Sequence, residues 1–490
     1  MPKVLIVALD ALESTLFREL LAENRLPNLA RFCSESQSLD VTSDGDVITG
    51  GIWPTFASGL SPGEHGLYFW TQWYAEEMRH LRNKAISDTM SPFWQALIPA
   101  GQTATIIDMP YVPPVQAPGF RTCISWGLHD EVIPISYPDS FRGWIDKTYG
   151  RHPLSFDTVE PQTPRDKLAM VKSMRRGIQM RGKLLEGLAS RQDWNLLVST
   201  LSEIHMSGHY LTAPEDITPS MTNVDAMAAI LGELDAAWPR ILQAAGRDCH
   251  VMLLALHGMI EQREYEPFGP QLLALFEGRA PQDWYARPDL VRRIRELMPD
   301  WLHRAIWRLL PHSFRAARQN TIGSADFDFE RDRLFTVVHE THPAVRVNLA
   351  GREASGLVQP EEADAMLDAL EEFICQFTTH DGQQVFTRLW RVEKEQPGPM
   401  SHRLPDAMMV ANPEVKGAPQ LRAPDGTVIT SGRREARNGV HVGRGFCYLR
   451  PAGSASATRL TVDNRDFAPS VLELLDVPFD RNFGGRSFVS

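Results

Sequence analysis

Three stretches of the chain share one layout: a short run of buried-type apolar residues with a metal-capable residue just past its carboxyl end. Residues 3–9 (KVLIVAL) run into Asp10, residues 194–201 (WNLLVSTL) into Glu203, His205 and His209, and residues 251–256 (VMLLAL) into His257. Runs this short and this rich in Val, Ile and Leu read as strands covered on both faces, the pattern of a parallel sheet in an α/β fold. Ligands of such sheets collect at the carboxyl ends of the strands. Three runs that deliver metal-capable side chains to one edge therefore define an expected site.

The rest of the chain is consistent with that frame. Residues 93–97 look helical, 103–107 read as a strand ending in Asp108-Met109-Pro110, and 167–189 and 226–245 have helical composition. This alternation of strand and helix predicts a mostly parallel central sheet with helices on both faces. Ser14 is placed to cap a helix whose Leu16, Leu20 and Leu21 share a face. Residues 43–63, rich in Gly, Thr, Ser and Pro, read as a loop suited to carry a nucleophile.

Between 265 and 324 the texture changes. Trp301, Leu302, Ala305, Ile306, Leu309 and Leu310 fall on one helical stripe, and eight Arg (287, 292, 293, 295, 304, 308, 315 and 318) face only Asp289, Glu296 and Asp300 between 287 and 318. The expectation is a core in two parts, 1–264 and 325–490, interrupted by a helical basic insertion at 265–324. A basic helix face is commonly a solvated one. The sharper reading is a lid whose Arg304 and Arg308 grip an anionic substrate; its rival is a stripe facing a second subunit in a homo-oligomer.

Composition narrows the function classes. The 490 residues are 43% hydrophobic and 23% charged, with 50 basic and 61 acidic residues and a net charge of −11, which argues against nucleic acid as the main partner. Cys33, Cys123, Cys249, Cys375 and Cys447 are odd in number and lack CxxC spacing, as expected of reduced structural thiols. No leader-like N-terminus and no bilayer-length apolar run is visible, so a cytoplasmic location without a membrane span is the expectation.

Taken singly the candidate ligands are modest signals. His205 and His209 are four residues apart, so on a helix their imidazoles share a face and can share an ion; the rival is a chance surface pair. Asp10 after a buried strand must be paired, metal-bound or reach solvent. His257 precedes Gly258, and His441 lies in the Gly-flanked string NGVHVG, read as a loop.

In order, the strings KVLIVALDALE, RLPNLARF, TGGIWPTFASGLSPGEHGLYFW, IIDMPYVPP, SEIHMSGHY, LLALHGM, VRVNLAGREASGLV, LPDAMMVANPE and DFAPSVLELLDVPFDRNFGGRSF resemble the alkaline phosphatase superfamily, particularly its type I phosphodiesterase/nucleotide pyrophosphatase branch. The resemblance spans nearly the whole chain outside the basic insertion. It implies an alkaline phosphatase-like fold, one or two divalent transition metal ions (Zn first, Fe or Mn as alternatives) and a Thr nucleophile. Asp10 matches the first metal ligand and Thr49 the nucleophile, itself a metal ligand, with Thr55 as the fallback. His209, His257 and His441 match further ligands, while His65 in GEHG matches a residue read as structural.

Two positions depart from the family pattern: His205 and Leu256 stand where the family has Asp. Leu cannot bind metal, so the implied two-metal site is left with His205, His209 and His441 on one side and Asp10, Thr49 and His257 on the other. Glu203 is a candidate substitute carboxylate. The expected activity is metal-dependent hydrolysis of a phosphodiester or related phosphate ester, acting on a small anionic substrate. The CxPxR string of formylglycine sulfatases is absent. Three rivals stand beside this reading: transfer to an alcohol instead of water, an altered-chemistry enzyme with a His-rich mononuclear centre, and a non-catalytic binding protein retaining the fold.

Overall fold

Alternation within the first apolar run sets the architecture. In strand β1 (Lys3–Ala8), Leu5 and Val7 project into one hydrophobic core and Val4, Ile6 and Ala8 into another, so the strand is covered on both faces. The computed structural model describes all residues except 83–89, 128–134, 157–160, 162, 263, 282–326, 432–436, 454–456, 480–482 and 490. With β2 (Ala104–Ile107), β3 (Leu196–Thr200) and β4 (Cys249–Ala255), β1 forms the centre of a nine-stranded sheet. Its order is Thr461–Asp463, Gln37–Thr42, Arg444–Arg450, β4, β1, β3, β2, Arg121–Ile124, Ile135–Tyr137. The run from β4 to Arg121–Ile124 is parallel, and antiparallel pairings flank it on both sides. The sheet is mixed and mostly parallel, as the apolar runs imply.

Register makes the strand ends level. Ala8 pairs with both Thr200 and Leu254, so the residues that follow β1, β3 and β4 leave the sheet along one edge. Helix α1 (Ile52–Ser58) covers one face through Trp53 and Phe56, joined by Phe467, Val471 and Leu472 of the helix Phe467–Leu474. On the other face lie α2 (Pro164–Ala189) and α4 (Asn223–Ala245), burying Val171, Met174, Ile178, Ile230, Leu234 and Trp238. Each Leu- or Ile-sized side chain so buried contributes roughly 1.5–3 kcal/mol. Helix α3 (Ser202–Leu211) starts at the carboxyl end of β3.

A smaller antiparallel sheet follows, ordered Leu334–Val337, Ala344–Val347, Ala407–Ala411, Phe386–Arg391. Its core takes in Tyr265, Phe268, Leu272 and Leu273, so residues 265–276, read above as the start of a basic cap, pack with this second sheet. Trp301, Arg304, Arg308 and the other residues of the apolar stripe and arginine run lie outside the described residues. Among the described residues, no helix is long and apolar enough to cross a membrane.

Three local expectations are corrected. Glu13, not Ser14, caps the first helix: its carboxylate accepts from the Leu16 N–H at 2.7 Å, and Ser14 is the helix's first residue. Residues 43–63 are not all loop, because Ile52, Trp53, Phe56 and Ala57 bury an apolar face as α1, ended by Gly59 in the left-handed region at φ 67°. His441 lies on a short strand, Gly439–Val442, paired antiparallel with Gly258–Glu261 so that Met259 faces His441.

A buried ion cluster braces α3 from behind. Arg181 of α2 donates to Asp108 at 2.8 Å and to Glu203 at 3.1 Å, and His152 Nε2 lies 2.8 Å from Glu203, all with fully buried side chains. Asp108 also accepts from the Trp126 and Gly127 N–H groups, each at 2.8 Å. Burial works to raise the Glu203 pKa, but Arg181 and His152 win and lower it from 4.5 to about 2. Removing Arg181 would leave two carboxylates buried without their cation, so Arg181→Met should destabilise by about 3–5 kcal/mol in urea unfolding. Because the folded-state pKa of Glu203 is depressed, its stabilisation is complete above about 4.5 and is lost as pH falls toward about 2. Glu203→Gln should flatten the stability-versus-pH curve across that interval, and an unchanged slope would show that the cluster does not govern acid stability.

Candidate metal centre

The level strand ends bring Asp10, His205, His209 and His257 to one place, and the paired strands Gly258–Glu261 and Gly439–Val442 add His441. Asp10, just past β1, is buried; its Oδ1 accepts from Trp53 Nε1 at 3.1 Å and its Oδ2 faces His205 Nδ1 at 3.0 Å. Burial alone would raise its pKa, but the contact with His205 holds it below the usual carboxylate value. His257 Nε2 lies 3.9 Å from Asp10 Oδ1, while His257 Nδ1 is buried without a hydrogen-bond partner.

His205 and His209 share one face of α3, with Nε2 atoms 2.9 Å apart. Their partners decide the tautomers. The Asp10 carboxylate can only accept, so His205 Nδ1 carries a proton; the Gly439 carbonyl, 3.1 Å from His209 Nδ1, can likewise only accept. The two Nε2 atoms are thereby turned toward each other, where one proton or one cation can lie between them. Burial lowers the His209 pKa well below the ordinary imidazole value, so that ring accepts at Nε2, from a His205 proton or from a cation in its place. Gly439 permits the approach: a Cβ there would stand 2.4 Å from the Gly208 carbonyl oxygen. His441 brings a third ring, its centroid 4.9 Å from that of His205 and 5.1 Å from that of His209, with both nitrogens buried and lacking hydrogen bonds. Ligating atoms of His205, His209 and His441 all lie within 4.8 Å of one another. Two ring nitrogens fixed by outer acceptors and three more lacking hydrogen bonds (two on His441, of which Nε2 faces Glu340 Oε2 at 3.4 Å, and one on His257) are what a metal site presents; the donor set fits a borderline transition metal ion.

Thr49 opens a 3-10 turn, Thr49–Gly51, ahead of α1, and lines the same pocket with its buried Oγ1 unpartnered. The turn sits tight against the chain because residue 50 is Gly; a Cβ there would be 2.4 Å from the Phe69 Cα. Thr55 is placed otherwise. His65 Nδ1 accepts from the Leu67 N–H, so its Nε2–H donates to Thr55 Oγ1 at 3.0 Å. Burial lowers the His65 pKa to about 3, which keeps the ring neutral in this structural role. Glu203 is not brought to the pocket, since Arg181 and His152 hold it on the far side of α3.

The pocket has Trp53, Phe69, Trp70, Pro110 and Tyr111 as walls around Asp10, Thr49, His205, His257, Glu340 and His441. Glu340 was not anticipated from the sequence. It follows the strand Leu334–Val337 in the string His339-Glu340-Thr341-His342, and a carboxylate flanked by two His after an apolar run is the signal that would have marked it. Among the described residues the lining holds two carboxylates and no Lys or Arg, so an anion entering it needs a cation supplied from elsewhere.

A family model described as type I phosphodiesterase / nucleotide pyrophosphatase matches residues 4–424. A comparison with curated protein sequences found no match. Among solved structures, the chain is similar to phosphonoacetate hydrolase from Sinorhizobium meliloti in complex with phosphonoacetate, at 13% identity over 97% of this chain and 96% of that one, with a TM-score of 0.51. It is also matched to murine ectonucleotide pyrophosphatase / phosphodiesterase 5, at 12% identity over 100% of both chains and a TM-score of 0.48. At these identities the likeness to the phosphonoacetate hydrolase is one of fold.

Elemental analysis of the His209→Ala protein should show a large loss of bound transition metal relative to the parent, since the variant removes one of two facing Nε2 donors. Equal occupancy in the two proteins would remove His209 from the donor set.

Proposed function

The chain belongs to the type I phosphodiesterase/nucleotide pyrophosphatase family, a family of phosphoryl hydrolases, and from that premise we propose that it hydrolyses a phosphodiester or related phosphate ester by a metal-dependent route with Thr49 as nucleophile. The observation that carries the reading is the unpartnered Thr49 Oγ1 in a pocket lined by Asp10, His205, His257 and His441. His205, His209 and His441 would hold the ion, with Zn2+ the first candidate and Fe2+ or Mn2+ the alternatives. When bound, it supplies the positive charge that phosphoryl oxygens need and eases deprotonation of a nearby hydroxyl.

The protein's own groups do the rest. Thr49 Oγ1, free of internal hydrogen bonds, gives up its proton to solvent and attacks phosphorus, and the ester oxygen leaves with its bonding pair and takes up a proton from water. Water then cleaves the phosphothreonine in a second displacement. Asp10 orients His205 through Nδ1 and the Gly439 carbonyl orients His209, so neither ring can turn its Nε2 away from the pocket without losing a hydrogen bond. The aromatic walls limit water around a small anionic substrate.

A second reading draws on Leu256 and on the engagement of both Asp10 oxygens by Trp53 and His205. Both features weaken the second metal position and favour a single firmly held ion, hence a mononuclear His-rich centre of altered chemistry.

With bis(p-nitrophenyl) phosphate as probe, metal-loaded Thr49→Ala should lose turnover on the order of 10³-fold or more, while Thr55→Ala keeps most of its activity. Full activity in Thr49→Ala together with loss in Thr55→Ala would transfer the nucleophile to Thr55.

A further inference from the structure

We propose that Glu340 is a fourth metal donor, completing the set of His205, His209 and His441 from the smaller sheet; this rests on the metal reading given above and names a ligand that reading does not contain. Glu340 lines the pocket, and its Oε2 lies 3.4 Å from His441 Nε2, one of the nitrogens without a hydrogen bond. Its other oxygen, Oε1, accepts from Arg437 Nη1 at 2.7 Å. The two oxygens thus have separate roles: Arg437 anchors one, and the other is presented to the histidine cluster.

The backbone around Glu340 is built to hold that aim. Its carbonyl accepts from the His342 N–H at 2.6 Å and also bonds His339 Nδ1. Thr341 sits in the left-handed region at φ 64°, a conformation a β-branched residue adopts only at a cost of roughly 1–3 kcal/mol. The Thr341 carbonyl is secured by the Tyr265 N–H at 2.7 Å, and the His339 ring packs on Phe69, a wall of the pocket, with centroids 5.4 Å apart. A strained turn pinned on both sides, with a carboxylate at its tip, is more than an ion-pair partner for Arg437 requires, and Arg437 also has Glu264 at 3.7 Å.

Charge gives the same answer. The chain carries Leu256 and His205 at two positions where a carboxylate is expected, and Asp10 is committed to His205 and Trp53. Three neutral imidazoles around a divalent ion leave its charge unbalanced in a largely buried site, and one carboxylate halves that imbalance. Glu340 comes from the other sheet, so a bound ion would join the smaller sheet to the edge of the larger one.

The test uses the full-length protein stripped of metal and titrated with Zn2+ against a chelator, and with Co2+ followed by visible absorption. Glu340→Gln should weaken Zn2+ binding about 10-fold or more and alter the Co2+ band. Because that variant leaves Arg437 with one fewer anion, the double variant Glu340→Gln/Arg437→Met is measured alongside, and the same weakening is expected there. Unchanged Zn2+ affinity and Co2+ spectrum in both variants, with binding still lost in His209→Ala, would reduce Glu340 to an ion-pair partner while the metal reading stands. Failure of the parent protein to take up either ion would overturn the metal reading and the Glu340 assignment together.

Discussion

His205 and His209 each commit Nδ1–H to an acceptor that cannot be exchanged, the Asp10 carboxylate and the Gly439 carbonyl, and so face each other through Nε2 atoms 2.9 Å apart. The geometry of the site depends on this arrangement. It fixes which atoms are available to a cation, and it accounts for Gly439 lying against Gly208. The fold serves it. Level ends of β1, β3 and β4 place Asp10, α3 and His257 together, and the Arg181–Asp108–Glu203–His152 cluster ties α3 to α2 through Glu203.

Electrostatics then links the centre to its substrate class. A pocket whose described lining contains two carboxylates, three histidines and no Lys or Arg offers phosphate no permanent cation of its own. Positive charge bound at the histidines reconciles membership of a phosphoryl hydrolase family with a lining of this kind. The departures at His205 and Leu256 reduce the carboxylate count and with it the positive charge the site can hold. That shift favours one tightly held ion over two, and it gives the carboxylate of Glu340 more weight than a distant ion pair would have.

Much of this was legible in the sequence, for local reasons. The apolar runs identified β1, β3 and β4 because a strand buried on both faces has no polar positions to obscure it, and ligands just past strand ends inherit the strand's placement. The i,i+4 spacing of His205 and His209 carried over directly to one face of α3. His441 was accessible only through family resemblance, since its strand pairs with residues some 180 positions earlier in the chain, at Met259. Glu203 could be seen but not its fate, which depends on Arg181, 22 residues away, reaching it from another helix. Glu340 was missed because it enters from a different sheet, and only a loop conformation, with Thr341 at positive φ, turns it inward. The helix α1 was hidden by a loop-like composition that tertiary burial overrides.

The central claim is that three histidines on the edge of this sheet hold a metal ion, and elemental analysis of the unsupplemented, purified protein tests it most directly. The claim requires at least one transition metal ion per chain, with about one pointing to the single-ion centre and about two to the family's paired arrangement. A protein that purifies without transition metal and takes up none when Zn2+, Fe2+ or Mn2+ is offered would contradict it.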